Sequence, residues 1–130
     1  MEKQITLDQE QTPEADLFVD CTGLGWLLLG KAMAAPFVSA DKYFFNDTAP
    51  ALHMAYTEAY NDIINHTIAS GQNAGWIWDI ILSHRREVGH VYSRKFLSDD
   101  EAESNLHASL GTDADHISPR KITFKSGHRQ

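Results

Sequence analysis

The stretch AGWIWDIILSHRREVGHVYSRKF, Ala74 to Phe96, carries the strongest patterning in the chain. Trp76 and Trp78 sit two residues apart, so in an extended strand both indoles point to one face, with Ile80 and Leu82 continuing that face. Ile77, Asp79 and Ile81 fall on the other. β-Branched and aromatic residues dominate the run, as a strand prefers, and only Asp79 is out of character. The polar segment His84 to Glu87 then leads into Val88 to Ser93, so the pattern predicts a β-hairpin. An aromatic strand face can bury its area against a core or stand as a flat wall for a planar ligand. Periodicity alone leaves both open.

Upstream of this hairpin, Asp16 to Cys21 is an apolar run bounded by acids, which reads as a buried strand of a parallel sheet. Thr22 to Gly25 supplies a turn, and Trp26 to Ala35 reads as helix closed by Pro36. A strand, turn and helix in this order can offer backbone N–H groups to a phosphate. Gly23, Gly25 and Gly30 do not make G-x-G-x-x-G, however, because position 28 is leucine. Cys21, at the end of a buried strand, is expected to be inert packing.

Between these regions, Ala49 to Thr57 alternates Leu52, Met54 and Tyr56 against Ala51, His53 and Ala55, which predicts a strand with one buried face. His66 to Ser70 reads as another strand, turning through Gly71 to Asn73 into the tryptophan strand, so the expected arrangement is an antiparallel meander. Downstream, Ser98 with Glu101 three residues later forms a capping box, and the helix it starts is expected over Asp99 to Leu110. Ala102, Leu106 and Leu110 make its apolar stripe, and Gly111 ends it. Ile117 to Ser126 alternates as a half-exposed strand, and Arg120, Lys121, Lys125 and Arg129 give this end a positive character open to an anion-facing reading.

The fold class is therefore α+β, an antiparallel sheet with a strand-turn-helix unit and one capped helix. Its 130 residues read as one partial domain: a polar lead-in over 1–14, the strand-turn-helix over 15–40, and the sheet with its helix over 41–130. With 42% hydrophobic and 22% charged residues the composition is that of a folded protein. Eleven basic against 18 acidic residues, a net charge of −7, argue against nucleic acid as a partner. The single cysteine excludes an internal disulfide; no apolar segment is long enough for a signal sequence or a membrane span, and a cytoplasmic location is expected. The seven histidines include no metal-ligand spacing, and no G-x-S-x-G is present, so neither metal nor catalytic residues are assigned.

The segment Gly75 to Ile80, GWIWDI, resembles the W-x-W-x-I-P fingerprint of the flavin-dependent tryptophan halogenases at Trp76, Trp78 and Ile80, with Ile81 where that family has proline. ADLFVDCTG (Ala15 to Gly23), LLLGKA (Leu27 to Ala32), PFVS (Pro36 to Ser39), FND (Phe45 to Asp47), GHVYSRKF with SDDEAE (Gly89 to Glu103) and PRKITFKSGHR (Pro119 to Arg129) resemble the same family in order. The resemblance implies a piece of a flavin-monooxygenase-like, FAD-binding fold. It implies an enzyme in which reduced FAD, oxygen and halide generate a hypohalous species that halogenates an electron-rich aromatic such as tryptophan, with a flavin reductase supplying the reduced flavin. By resemblance, Asp20, Thr22 and Gly23 lie on the flavin side, although Leu24, Gly25 and Trp26 depart from the family there. Trp76 and Trp78 lie on the substrate side, keeping the aromatic substrate away from the flavin. The resemblance is to the middle of a longer enzyme. The family's G-x-G-x-x-G loop, its lysine and its glutamate are not among these residues, so the chain alone is expected to be inactive and to bind FAD weakly or not at all. A non-catalytic α+β binding or relic module, and a piece of a related flavin monooxygenase, are the competing readings.

Overall fold

The computed structural model describes residues 14–55, 64–114 and 116–130. Its elements in order are a 3-10 turn (Gly23–Gly25), a π-helical turn (Leu27–Ala32), β1 (Phe37–Ser39), β2 (Thr48–Met54), β3 (Ile68–Gly71), β4 (Trp76–Ile81), β5 (Arg86–Val91), α1 (Asp99–Leu110), a second 3-10 turn (Gly111–Ala114), β6 (Arg120–Thr123) and β7 (Gly127–Arg129). The chain divides into two compact units, one of Met1–Val38 with Arg129–Gln130 and one of Ser39–His128. A two-stranded sheet is made by β1 and β7.

The larger unit is built on a five-stranded antiparallel sheet in the order β3-β4-β5-β2-β6. The hairpin of β4 and β5 is as expected, with its loop two residues earlier than the polar run suggests. Ile81 pairs with Arg86, and Leu82 to Arg85 form the turn. Arg86 belongs to the strand because it reaches diagonally to Asp79. Its Nε and Nη2 donate to the two carboxylate oxygens at 2.9 and 2.6 Å, and both side chains are only 15% exposed. This bidentate pair is how a strand tolerates the one acid in an apolar run.

The meander holds only for β3, β4 and β5. β2 does not pair with its neighbour in sequence, β3; it lies between β5 and β6. Alternation along a strand fixes which side chains share a face but says nothing of the partner strand. The alternation itself is found: Leu52 and Met54 are buried, whereas His53 and Ala55 are exposed. Tyr56 and Thr57 lie outside the described residues.

α1 spans Asp99–Leu110 as expected. The Ser98 hydroxyl accepts from the Glu101 amide, and the Glu101 carboxylate accepts from the Ser98 amide and hydroxyl. Gly111, at φ 71°, closes the helix. Ala102 and Leu106 are fully buried, and Leu106 packs with Leu52, Met54, Ile77, Val88 and Ala114 into the core, joined by Leu110 and Ile117. Burying each of the larger side chains contributes about 1.5–3 kcal/mol. His90, fully buried, sets its Nδ1 3.1 Å from the Ala102 carbonyl and its Nε2 3.1 Å from the Ala74 carbonyl, linking α1 to the turn before β4. Tyr92 is also fully buried and donates its hydroxyl to Asp99, whose other oxygen accepts from Lys121 Nζ at 2.7 Å. Burial, with the Asp99 carboxylate beside it, pushes the Tyr92 phenol well above its ordinary value.

The smaller unit departs from the sequence reading. Asp16 to Cys21 is not a strand: Leu17 and Val19 are 78% and 72% exposed, and Cys21 is exposed. The helical segment is shorter than Trp26 to Ala35 and is π-helical, with Lys31 N–H donating to Trp26 O and Met33 N–H to Leu28 O. Trp26 and Ala34, both at φ 49°, lie in the left-handed region and bound it. Among the described residues no helix is long and apolar enough to cross a membrane.

Candidate functional site

Cross-strand partners point to the same face, so register sorts the sheet into two surfaces. Ile77, Val88, Leu52 and Met54 face α1 and the core. Trp76, Trp78 and Ile80 therefore face the other way, across from Val91, Gly89 and Glu87 on β5. The two indoles lie with centroids 6.1 Å apart and planes inclined by 58°. Trp76 is 38% exposed and Trp78 is half-buried. The tryptophan pair is thus not part of the core that α1 covers.

Beyond Ile80 the same face becomes ionic. Glu87 lies opposite both Ile80 and His53, its Oε1 3.6 Å from His53 Nε2 and accepting from Arg85 Nε at 2.6 Å. Arg85 in turn approaches His84, Nη1 to Nε2, at 2.9 Å. An aromatic half and a charged half adjoin on one sheet surface. Composition did not reveal that His53 meets Glu87, which depends on the register of β2 with β5, nor the glycine beneath Trp78, which depends on that of the β4–β5 hairpin. The length of the polar loop is the one sequence signal that bears on it.

In the smaller unit Asp20, Thr22 and Gly23 do come together. The Asp20 carboxylate accepts from Thr22 N, Leu28 N and Leu29 N at 3.0–3.1 Å and from the Thr22 hydroxyl, while Thr22 Oγ1 accepts from Leu27 N at 2.8 Å. The Thr22 hydroxyl and the Leu29 amide, with the other two amides, hold the Asp20 carboxyl down at about 2. Gly23, at φ +61°, adopts the left-handed conformation of the turn. The amides of the first helical residues are therefore already taken, and these residues do not fit a dinucleotide phosphate, which needs such N–H groups free. Nearby, the Arg129 guanidinium lies 5.0 Å from the Trp26 ring centre and 5.8 Å from that of Phe37, and donates to the Ala35 carbonyl. With Lys121 bound to Asp99, two of the four basic residues at this end of the sequence are engaged within the protein.

The family model for tryptophan halogenase matches residues 3–130. The chain belongs to the tryptophan halogenase family. It is 41% identical over 115 residues to the 7-chloro-L-tryptophan 6-halogenase KtzR of Kutzneria sp. (strain 744), covering 88% of this chain and 22% of that protein. The crystal structure of the tryptophan 6-halogenase SttH from Streptomyces toxytricini superposes with a TM-score of 0.81 at 34% identity, covering 98% of this chain and 25% of that one. BrvH, a flavin-dependent halogenase from Brevundimonas sp. BAL3, gives 0.74 at 34% identity over 98% of this chain and 26% of that one. The chain spans between a fifth and about a quarter of the length of these relatives. Fold class and family are those that the sequence indicated, a mixed α/β structure with antiparallel sheet from the flavin-dependent halogenases.

Proposed function

We propose that this chain is the part of a flavin-dependent halogenase that presents an aromatic wall, Trp76 and Trp78, to an electron-rich aromatic substrate such as tryptophan. The reaction consumes halide, oxygen and reduced FAD, with a flavin reductase as the supplier of reduced flavin. The observation that carries the reading is the placement of both indoles on the sheet face opposite the α1-covered core, where they are not spent on packing against the helix. A planar substrate meets a ring edge or face there by dispersion and quadrupole contacts. The role of the two indoles is positional: they hold the substrate ring in place and keep it from the flavin, and neither moves a proton.

FAD, when bound, supplies the oxidising chemistry. Asp20, Thr22 and Gly23 stand on the flavin side in this reading, as a stiff turn that contributes shape, since their own hydrogen bonds leave no amide for a phosphate. The phosphates are held elsewhere in a complete enzyme, and this chain alone binds FAD weakly or not at all.

The test is a chimera in which these residues replace the matching stretch of SttH, compared with its Trp76→Ala and Trp78→Ala forms. The expected result is an active chimera whose tryptophan chlorination falls at least tenfold in each variant while reoxidation of reduced flavin continues. Undiminished chlorination in both variants refutes the reading.

A further inference from the structure

Resting on the proposed role of the tryptophan pair, we propose that Gly89 is the positioning residue that fixes the Trp78 indole on the sheet. Gly89 lies directly across from Trp78 in the β4–β5 register. A Cβ built on Gly89 falls well under 3.0 Å from Trp78 Cη2 and Cζ2, and 2.8 Å from the Pro50 carbonyl oxygen. The benzo edge of the indole therefore rests on β5 in the space a side chain would take. An indole is rigid and can yield only by turning about its χ angles, so a side chain at position 89 displaces the whole ring.

Glycine occupies a strand interior for one of two reasons, conformation or room. Conformation is excluded here, because Gly89, unlike Gly75 at φ +92°, does not lie in the left-handed region. A strand glycine is disfavoured relative to alanine, so a gain in packing must offset it. The room is taken chiefly by the Trp78 indole, which comes nearest, and secondly by the Pro50 carbonyl oxygen. The residues on either side of this pair in the same cross-strand row are also small, Ala69 on β3 and Ala51 on β2. The indole is thus seated in a shallow trough whose depth at the contact point is set by the missing side chain at 89. The height of Trp78 above the sheet decides how much of its face Trp76 and a ligand can meet, so Gly89 acts on the aromatic surface through Trp78 and not by touching substrate.

The test is a double-mutant cycle on the 130-residue chain with Gly89→Ala and Trp78→Phe, together with circular dichroism of the two indoles, which at 6.1 Å couple to give a paired signal. Phenylalanine lacks the outer atoms that meet position 89. Gly89→Ala is expected to abolish or invert the paired signal and to lower the folding constant. In the Trp78→Phe background the same change is expected to lower it at least tenfold less. If Gly89→Ala fails to fold while the double variant folds, the proposal is supported. An unchanged paired signal with additive losses overturns it, and so does failure of both variants to fold, since the clash would then be with the Pro50 carbonyl. None of these readouts involves halogenation. The seating of Trp78 can therefore fail while its role toward substrate stands, and a coupled pair whose loss leaves the chimera's chlorination intact would sink only the functional reading.

Discussion

The two units of this chain are held by different physics. In the unit of Ser39–His128, apolar side chains from β2, β4, β5 and α1 meet in a core, and every fully buried residue among those described lies between Thr48 and Ala114. In the unit containing Met1–Val38, Leu17, Val19, Leu24, Leu27, Leu29 and Met33 are all exposed. What organises its described residues is polar: a carboxylate capping a π-helical turn, and a guanidinium held over two rings. Apolar content does not by itself make a core. The same residue types give one only where a sheet and a helix present facing surfaces.

The largest test of this contrast removes one leucine from each unit. Leu106→Ala is expected to cost about 2–5 kcal/mol, because it leaves a cavity under α1. Leu24→Ala, at an exposed position, is expected to stay within about 0.5 kcal/mol. Urea unfolding of the two variants decides it, and equal losses would dissolve the distinction. A smaller effect is expected at the helix start, where Ser98→Ala removes the acceptor for the Glu101 amide and should lower stability by about 1 kcal/mol in the same assay. No change would mean that the capping box is not formed in solution.

The third test sharpens the polar half. The carboxyl of Asp20 is held at about 2, below the ordinary value of about 4, so its ionised form is favoured by folding. Its contribution is therefore fully present above about pH 4 and is lost as pH falls through about 2. The amide resonances of Leu28 and Leu29 should titrate together with a midpoint near that lower value. A midpoint near 4 would show that the carboxylate does not cap the turn. Asp20→Asn should abolish the titration and leave the Leu106 core unchanged.

The same contrast explains what could be read from sequence. The capping box gave α1 to the residue, because Ser98 and Glu101 satisfy amides of their own helix and need nothing distant. The shared face of Trp76 and Trp78 followed from a period of two, again a local property. Which side of the sheet that face occupies was not legible, since both sides of β4 are apolar, with Ile77 and Ile81 on one and Ile80 on the other. That answer needed α1, which packs on the Ile77 side. Asp16 to Cys21 was misread because an apolar run becomes a buried strand only where a sheet and a core receive it, and here Leu17, Val19 and Cys21 are exposed. Its acid instead turns back to the amides of Leu28 and Leu29. The meeting of His53 with Glu87 and of Trp78 with Gly89 was missed because those neighbours are set by register across strands.

The strand order β3-β4-β5-β2-β6 also dictates a sequence of events in time. β2 is synthesised first among the five, yet it is paired on both sides by strands made later, β5 and then β6. The hairpins β3–β4 and β4–β5 close over short loops and can form early, whereas β2 must wait for them with its Leu52 and Met54 still in water. Until it docks, the edge of β5 that β2 will cover is open to any other extended chain. The interval between the emergence of β2 and its docking on β5 is thus a period in which both strands are open to misassembly.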